Sequence, residues 1–405
     1  MRRATVETNV KEQPMTMHDN GSREVVIVAA VRTAIGRGHP EKGIYRDLHP
    51  SNLLAHAYGA VIERAGIDPA EVGNVFAGCV QQIGEQSLNI ARDAWLEAGL
   101  PMEVPANTLD TQCGSGQQAV NVAAGLIAAG VHDVAVGAGV EHMGHISFAA
   151  VAESNERYGS PITPQLAARY DLVNQGLAAE MIADRWEIGR AELDEIGLRS
   201  QQLARRATDE GRFQSEIAPI RTADGLQTID QGLRETTTEG LAALRPAFKE
   251  DGKITAGNSS QISDGAAAVI LMAREKAAAL GLEPRARLVD QTTVGVDPVT
   301  MLTGPIPATR ELFTRNGIGA GDVDRFEVNE AFASVVAAWS REIEPDLERV
   351  NVNGGAIALG HPLGASGARL IATLLHELER SDTELGLVTM CCGGGLGTGT
   401  LIQRI

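Results

Sequence analysis

Four pairs of short motifs recur in this chain at one spacing of 251 residues, and that repeat restricts the fold more than any other feature. Arg64-Ala65-Gly66-Ile67 returns as Arg315-Asn316-Gly317-Ile318, and Glu71-Val72 returns as Asp322-Val323. Ser115-Gly116 opens an apolar stretch and returns as Ser366-Gly367, which opens another. The strand-like run at Val134 falls opposite the one at Leu385. Coincidence supplies one such match; four in order at one offset signal an internal duplication. The chain therefore reads as two similar halves, about 24–142 and about 281–405.

The elements inside the halves set the fold class. Glu24 to Val31 is too apolar for a strand with one face in water, so it reads as a buried strand. Val75–Val80 and Val134–Gly137 read the same way. Leu53–Ala65 has helical composition and stops at Gly66, a residue suited to the left-handed turn after a helix. Gly114–Ala129 is a helix of small and apolar residues on nearly every side, which belongs inside a protein. Strands alternating with helices predict an α/β fold with a mostly parallel sheet. From 143 to 258 the sequence is charged and loop-rich, with helical stretches at 178–186 and 192–210 and no counterpart in the second half. It reads as an insertion covering a site, with 259–280 completing the first half. Residues 1–23 are polar and expected to be a disordered tail.

Composition narrows the function classes. Of 405 residues, 35 are Lys or Arg and 52 Asp or Glu, a net charge of −17, which argues against nucleic acid or an anionic membrane as partner. The first 23 residues lack the apolar centre of a signal peptide, and Glu7, Glu12 and Asp19 do not suit a transit peptide. The apolar run 119–140 is broken by Asn121, His132 and Asp133, so it is not a membrane span. Four cysteines, with no CxxC pair, point to a reducing, cytoplasmic setting without a disulfide framework or a zinc site. His142 and His145 have HxxH spacing but no third ligand, so no metal is expected there. The 45 glycines ask for tight turns and close backbone approach.

The chemistry-bearing residues fall at corresponding loops of the two halves. Cys113 precedes a buried helix, where the helix dipole is expected to lower a thiol pKa and favour the nucleophilic thiolate. His361, in Gly360-His361-Pro362-Leu363-Gly364, approaches the matching helix of the other half and is the natural base for it. Cys391 follows the strand 386–390 and leads into Cys392-Gly393-Gly394-Gly395, whose free N–H groups suit a developing oxyanion. A second cysteine as acid/base fits protonation of a carbanion. Asn329-Glu330 ends a strand before an apolar helix at 331–339. Cys79 reads as packing. Together these residues point to acyl transfer through a thioester.

At these motifs the chain resembles the thiolases, from about Arg23 to Ile405. The motifs are Cys113-Gly114-Ser115-Gly116, Asn329-Glu330-Ala331-Phe332-Ala333, Gly354 through Pro362, and Cys391-x-Gly393-Gly394-Gly395. The resemblance implies a five-layered αβαβα fold of two duplicated halves with an inserted loop domain. It implies that Cys113 carries the acyl group, and that His361 activates it and helps bind the thioester oxygen. It further implies that Asn329 holds a water in that oxyanion hole and that Cys391 exchanges the α-carbon proton of acetyl-CoA. The N–H groups of Cys113 and Gly393 would form a second oxyanion hole, and Ser260 would touch the pantetheine. Coenzyme A enters as co-substrate with no permanently bound cofactor, and the assembly is a homodimer or homotetramer. The implied activity is a 3-ketoacyl-CoA thiolase of fatty-acid or sterol-type degradation. A biosynthetic acetyl-CoA acetyltransferase is the alternative and a non-catalytic acyl-CoA-binding relative the remote one. Asn174-Gln175 stands where short-chain biosynthetic members carry His-Met, and Asp110-Thr111-Gln112 replaces the usual lead-in to the nucleophile. Residues 297–305 and 231–235 resemble degradative thiolases of actinobacterial type. The basic residue that should meet a CoA phosphate has no recognisable place between Thr222 and Arg234.

Overall fold

The computed structural model describes residues 23–405; the expected tail at 1–22 lies outside the described residues. The first half runs β1 (Val25–Arg32), β2 (Gly36–Arg37), α1 (Pro50–Ala65), β3 (Asn74–Gly78), α2 (Ile90–Glu97), β4 (Ala106–Leu109), α3 (Ser115–Ala128) and β5 (Val134–His142). The middle holds α4 (Phe148–Tyr158), α5 (Pro164–Arg169), α6 (Gln175–Arg185), α7 (Arg190–Asp209), a small hairpin β6 (Ile220–Thr222) and β7 (Gly225–Gln227), and α8 (Thr238–Ala242). The chain returns through β8 (Ser263–Ala273) and α9 (Arg274–Ala279). The second half follows as β9 (Ala286–Gly295), α10 (Pro305–Asn316), β10 (Arg325–Val328), α11 (Ala333–Ile343), α12 (Ala356–Leu359), α13 (Leu363–Arg380), β11 (Leu385–Cys392) and β12 (Leu396–Arg404).

The repeat in sequence is a repeat in structure. Helices α1 and α10 both end on a left-handed glycine, Gly66 at φ 65° and Gly317 at φ 63°. The starts of β3 and β10, and of β5 and β11, stand 251 residues apart. The strands line up as β10-β11-β12-β9-β1-β8-β5-β3-β4. The two halves join only where Val26 and Ile27 of β1 pair with Arg287 and Ala286 of β9.

The expectation of a mostly parallel sheet is corrected. Pairs β3/β4, β3/β5 and β10/β11 are parallel, whereas β1/β8, β5/β8, β11/β12, β12/β9 and β1/β9 are antiparallel. The reason is that β11 turns into β12 by a tight hairpin, with Gly394 and Gly395 at positive φ, instead of crossing through a helix.

Strand alternation builds three apolar seams. Leu387 of β11 packs with Leu312, Val336 and Trp339 of α10 and α11 on one face. Val388, one residue on, packs on the other face with Val120 and Ile127 of α3 and Leu370 and Leu374 of α13. On β8, Val269 and Leu271 share that central seam, while Ile270 and Met272 meet Leu53, Val61 and Trp95 of α1 and α2. Helices α3 and α13 thus form the middle layer of αβαβα. Each buried Leu or Ile in that layer contributes about 1.5–3 kcal/mol.

Glycines let the two central helices touch backbone to backbone at their N-terminal turns. A Cβ on Gly116 would meet Ala368 N at 3.0 Å, and one on Gly367 would meet Gln117 Cβ at 2.6 Å. Gly116 and Gly367 are themselves a pair in the repeat. The catalytic candidates stand on the turns just before these helices.

Candidate active site

The turn before α3 aims Cys113 inward. Gln112 takes a left-handed φ of 51°, and its N–H donates to Asp110 Oδ1 at 2.7 Å. Ser115 Oγ accepts from Thr111 N at 2.9 Å and donates to Gln112 O at 2.6 Å. Cys113 is buried, and the N–H groups of Gly393 and of Cys113 itself converge on its sulfur. Burial outweighs these donors and lifts the thiol to about 11. This corrects the expectation of a lowered pKa: the dipole offers about half a charge over one turn, whereas a thiolate here would lose its whole water shell. Cys391 lies within β11, not after it; burial pushes its thiol well above the ordinary range, and a charge on Cys113 would push it further. Cys392 points elsewhere, its sulfur held by Gly114 N–H and Thr398. Cys79, just beyond β3, is a core residue beside Glu141.

The tautomer of His361 can be worked out from its neighbours. Its Nδ1 lies 2.6 Å from Ser366 Oγ, while the Ser366 O–H is already donated to Pro362 O at 2.8 Å. Ser366 must therefore accept, and Nδ1 carries the proton. That leaves a lone pair on Nε2, which faces Asn329 Nδ2 at 3.4 Å. Burial first, and the charge of Arg369 second, hold the imidazole down to about 3, so the ring is uncharged near neutrality. Asn329, at the end of β10, is buried, and its Oδ1 meets no donor among the described residues.

Two buried carboxylates brace these turns. Glu141 accepts from Val80 N, Gln81 N, Gln86 Nε2 and Gly364 N at 2.8–3.0 Å, which ties α13 to the first half. Glu330 accepts from Ser200 Oγ at 2.6 Å, Asn351 Nδ2 at 3.0 Å and Ile357 N at 3.1 Å, which ties α7 to the second half.

A cavity of about 480 Å³ adjoins this set, with His361 and Ser260 on its wall beside Phe148, Phe248, Phe332 and Gln175. Gln175, the first residue of α6, reaches Gly393: a Cβ there would lie 2.8 Å from its Nε2. The sequence-derived residues thus fall into two groups. Cys113, Cys391 and Gly393 cluster around one sulfur, while Asn329 and His361 pair and share the cavity side with Ser260. Among the described residues no hydrogen bond joins Cys113 to His361; the glycine contacts of α3 and α13 set their approach.

Sequence reading missed three residues. Ser366 carried a signal, since it matches Ser115 in the repeat. Gln175 was noticed only as a departure from a motif. Arg234 sits in a loop without periodicity. It is half-buried beside a cavity of about 240 Å³ and pairs with no acid among the described residues. Its pKa is lowered by burial and then by Arg37, so two guanidiniums lie near each other without a counter-charge. His142 and His145 stack with ring centres 3.9 Å apart. Both nitrogens of His145 are taken by protein acceptors, Glu85 Oε2 at 2.8 Å and Arg46 O at 2.7 Å.

Comparison with known proteins gives a consistent result. The family described as thiolase, N-terminal domain, matches residues 25–275, and thiolase, C-terminal domain, matches 282–404. A steroid 3-ketoacyl-CoA thiolase of Mycobacterium tuberculosis is 44% identical over 400 residues, covering 97% of each chain. A 3-ketoacyl-CoA thiolase of Psychrobacter arcticus is 42% identical over 95% of this chain and 98% of its own. An acetyl-CoA acetyltransferase of Syntrophomonas wolfei is 40% identical over 95% of this chain and all of its own. Among solved structures, the Bacillus anthracis acetyl-CoA acetyltransferase superposes with a TM-score of 0.86 at 36% identity, covering 95% of this chain and 99% of that one.

Proposed function

The chain belongs to the thiolase family, and we propose that within it this is a degradative 3-ketoacyl-CoA thiolase. It would cleave a 3-ketoacyl-CoA with coenzyme A into acetyl-CoA and a shortened acyl-CoA. The observation that carries this reading is the Cys113 sulfur, gripped by the N–H groups of Gly393 and Cys113 beside a second buried thiol, Cys391. Single-cysteine hydrolysis has no use for that second acid.

Each step balances on these residues. Cys113 attacks the 3-keto carbon while His361 Nε2 takes its proton. The C2–C3 bond breaks, and Cys391 protonates C2 to release acetyl-CoA. Coenzyme A gives its thiol proton to the Cys391 thiolate and attacks the Cys113 thioester. The Cys113 thiolate leaves and recovers its proton from His361. Asn329 and His361 would hold the thioester oxygen of the substrate, and Cys113 N and Gly393 N the acyl oxygen. Ser260 would touch the pantetheine, and the unpaired Arg234 and Arg37 suit the phosphates.

A fatty-acyl or sterol-derived chain fits the aromatic cavity, as do the names of the 42–44% identical relatives. The rival reading, an acetyl-CoA acetyltransferase, draws on the Syntrophomonas and Bacillus relatives. Residues 24–142 with 259–280, and 281–405, would be the two catalytic halves, with 143–258 as the loop domain over them. Helices α4 and α5 bury no residue within the chain, which favours a homodimer or homotetramer. Four free cysteines suit a cytoplasmic enzyme.

The test is thiolysis of acetoacetyl-CoA beside long-chain and bulky 3-ketoacyl-CoAs. Preference for the larger substrates supports the reading, and strict preference for acetoacetyl-CoA selects the rival. Cys113→Ala should abolish turnover, whereas Cys391→Ala should still form the acyl-enzyme from an acyl-CoA. Full thiolysis by Cys113→Ala would refute both.

A further inference from the structure

Helix α13 is buried on nearly every side, yet it carries one polar stripe: Ser366, Arg369, Thr373 and Glu377. Spacings of three, four and four put these side chains on a single face. Ser366 holds His361 Nδ1, and Arg369 stands one turn further along. Thr373 Oγ1 donates to Glu216 at 3.1 Å, and Glu377 pairs with Arg325 and Arg380.

Arg369 is the anomaly in this stripe. It is 1% exposed, and none of its three guanidinium nitrogens meets an acceptor among the described residues. Two neighbouring acids are spent elsewhere: Glu216 on Arg32 at 2.5 Å, and Asp230 on Arg32 at 2.7 and 2.9 Å and on Ile35 N at 2.7 Å. Glu330 is saturated by Ser200, Asn351 and Ile357. The acid left facing Arg369 is Glu327 of β10, also buried, with an Oε2 that meets no donor. No ion pair within 4.0 Å forms between them among the described residues. Glu327 and Asn329, two apart on one strand, share a face. A line therefore runs from His361 through Asn329 and Ser366 to an opposed but unjoined pair of charges.

We propose that Arg369 is the positioning residue for the base: its unneutralised charge, one turn below the serine that orients His361, keeps the imidazole in its uncharged, proton-accepting form. A cation left unpaired in a dry interior costs several kcal/mol, and a field on the base gives that cost a use. Because Glu327 stands off instead of forming a contact, it balances the interior charge without quenching the field. This rests on His361 acting as base in the proposed thiolysis.

The experiment titrates the His361 ring by NMR, assigned against His361→Asn, and follows the acid limb of kcat/KM in parallel. Arg369→Gln should move both midpoints up by on the order of one pH unit, whereas Arg369→Lys should leave them near wild type. Glu327→Gln should not move them up. Alkylation of Cys113 at pH 9, where Arg369 plays no part, should stay within about twofold in all three and report intact geometry. If Arg369→Gln does not fold, the double variant Arg369→Met with Glu327→Leu removes both charges at similar volume and should show the same upward shift. A folded Arg369→Gln or double variant with an unmoved His361 titration overturns the inference, as does an upward shift in Glu327→Gln. Such a failure leaves wild-type thiolysis and its dependence on His361 standing, so the two readings fail separately.

Discussion

Gly367→Ala puts the contact between the two central helices to a direct test. A methyl group there would land 2.6 Å from Gln117 Cβ and 2.7 Å from Gln117 Cα, closer still to its backbone N. Carbon atoms settle at about 3.5–4.0 Å, so α3 and α13 would have to separate by roughly 1 Å. Gln117 cannot swing aside, because the contact includes backbone and its side chain is bonded to Val388 O at 3.0 Å and Thr400 Oγ1 at 2.7 Å. Overpacking of this kind costs about 1–3 kcal/mol, and the better helix propensity of alanine returns about 1. The net loss is on the order of 1–2 kcal/mol, a few degrees in Tm. The effect on catalysis should be larger, because these helices carry Cys113 and His361 on their N-terminal turns. A misplacement of about 1 Å costs on the order of 100-fold in rate. The assay is kcat/KM for thiolysis beside a thermal melt. The control is Gly59→Ala in α1, where nothing lies within 4 Å of the new methyl; it should be neutral or stabilising by up to about 1 kcal/mol. A Gly367→Ala enzyme within threefold of wild-type kcat/KM would show that backbone contact of the helices does not hold the site in register.

Other consequences follow from single contacts. Ser366→Ala removes the acceptor of His361 Nδ1–H and should lower kcat roughly tenfold with KM nearly unchanged; recovery in Ser366→Thr would confirm the hydroxyl as the cause. Because burial holds Cys113 near 11 and His361 near 3, the resting pair is thiol and neutral imidazole. Iodoacetamide should then label Cys113 about tenfold faster per pH unit from pH 6 to 10, and a plateau near pH 7 would reveal a preformed ion pair instead. Arg32→Met strands Glu216 and Asp230, both buried, and should cost about 3–5 kcal/mol in a denaturant melt; an unchanged midpoint would mean that the acids find other partners. Arg234→Ala should raise KM for coenzyme A by on the order of tenfold and spare kcat, and equal losses in both would place this residue at the chemistry instead.

Local and repeated signals were legible in the chain itself. The duplication, the buried helices behind Ser115 and Ser366, the left-handed stops at Gly66 and Gly317, and the four motifs bearing Cys113, Asn329, His361 and Cys391 all depend on nearby residues or on one fixed offset. Strand direction was not legible, because a hairpin at Gly394-Gly395 and a helical crossover leave the apolar pattern of a strand unchanged. The same holds for the Cys113 pKa: the helix start can be read from sequence, but the burial that overrides it comes from layers hundreds of residues away. The proton on His361 Nδ1 was decided by a serine whose own hydroxyl had already been spent on Pro362. The unpaired state of Arg369 depends on which acids were consumed by Arg32, across strands and loops that meet only in the folded chain. Sequence determined which reagents the protein carries and that they come in matched halves. Tertiary structure decided their protonation and aim, because desolvation and hydrogen-bond competition are set by the sum of distant neighbours.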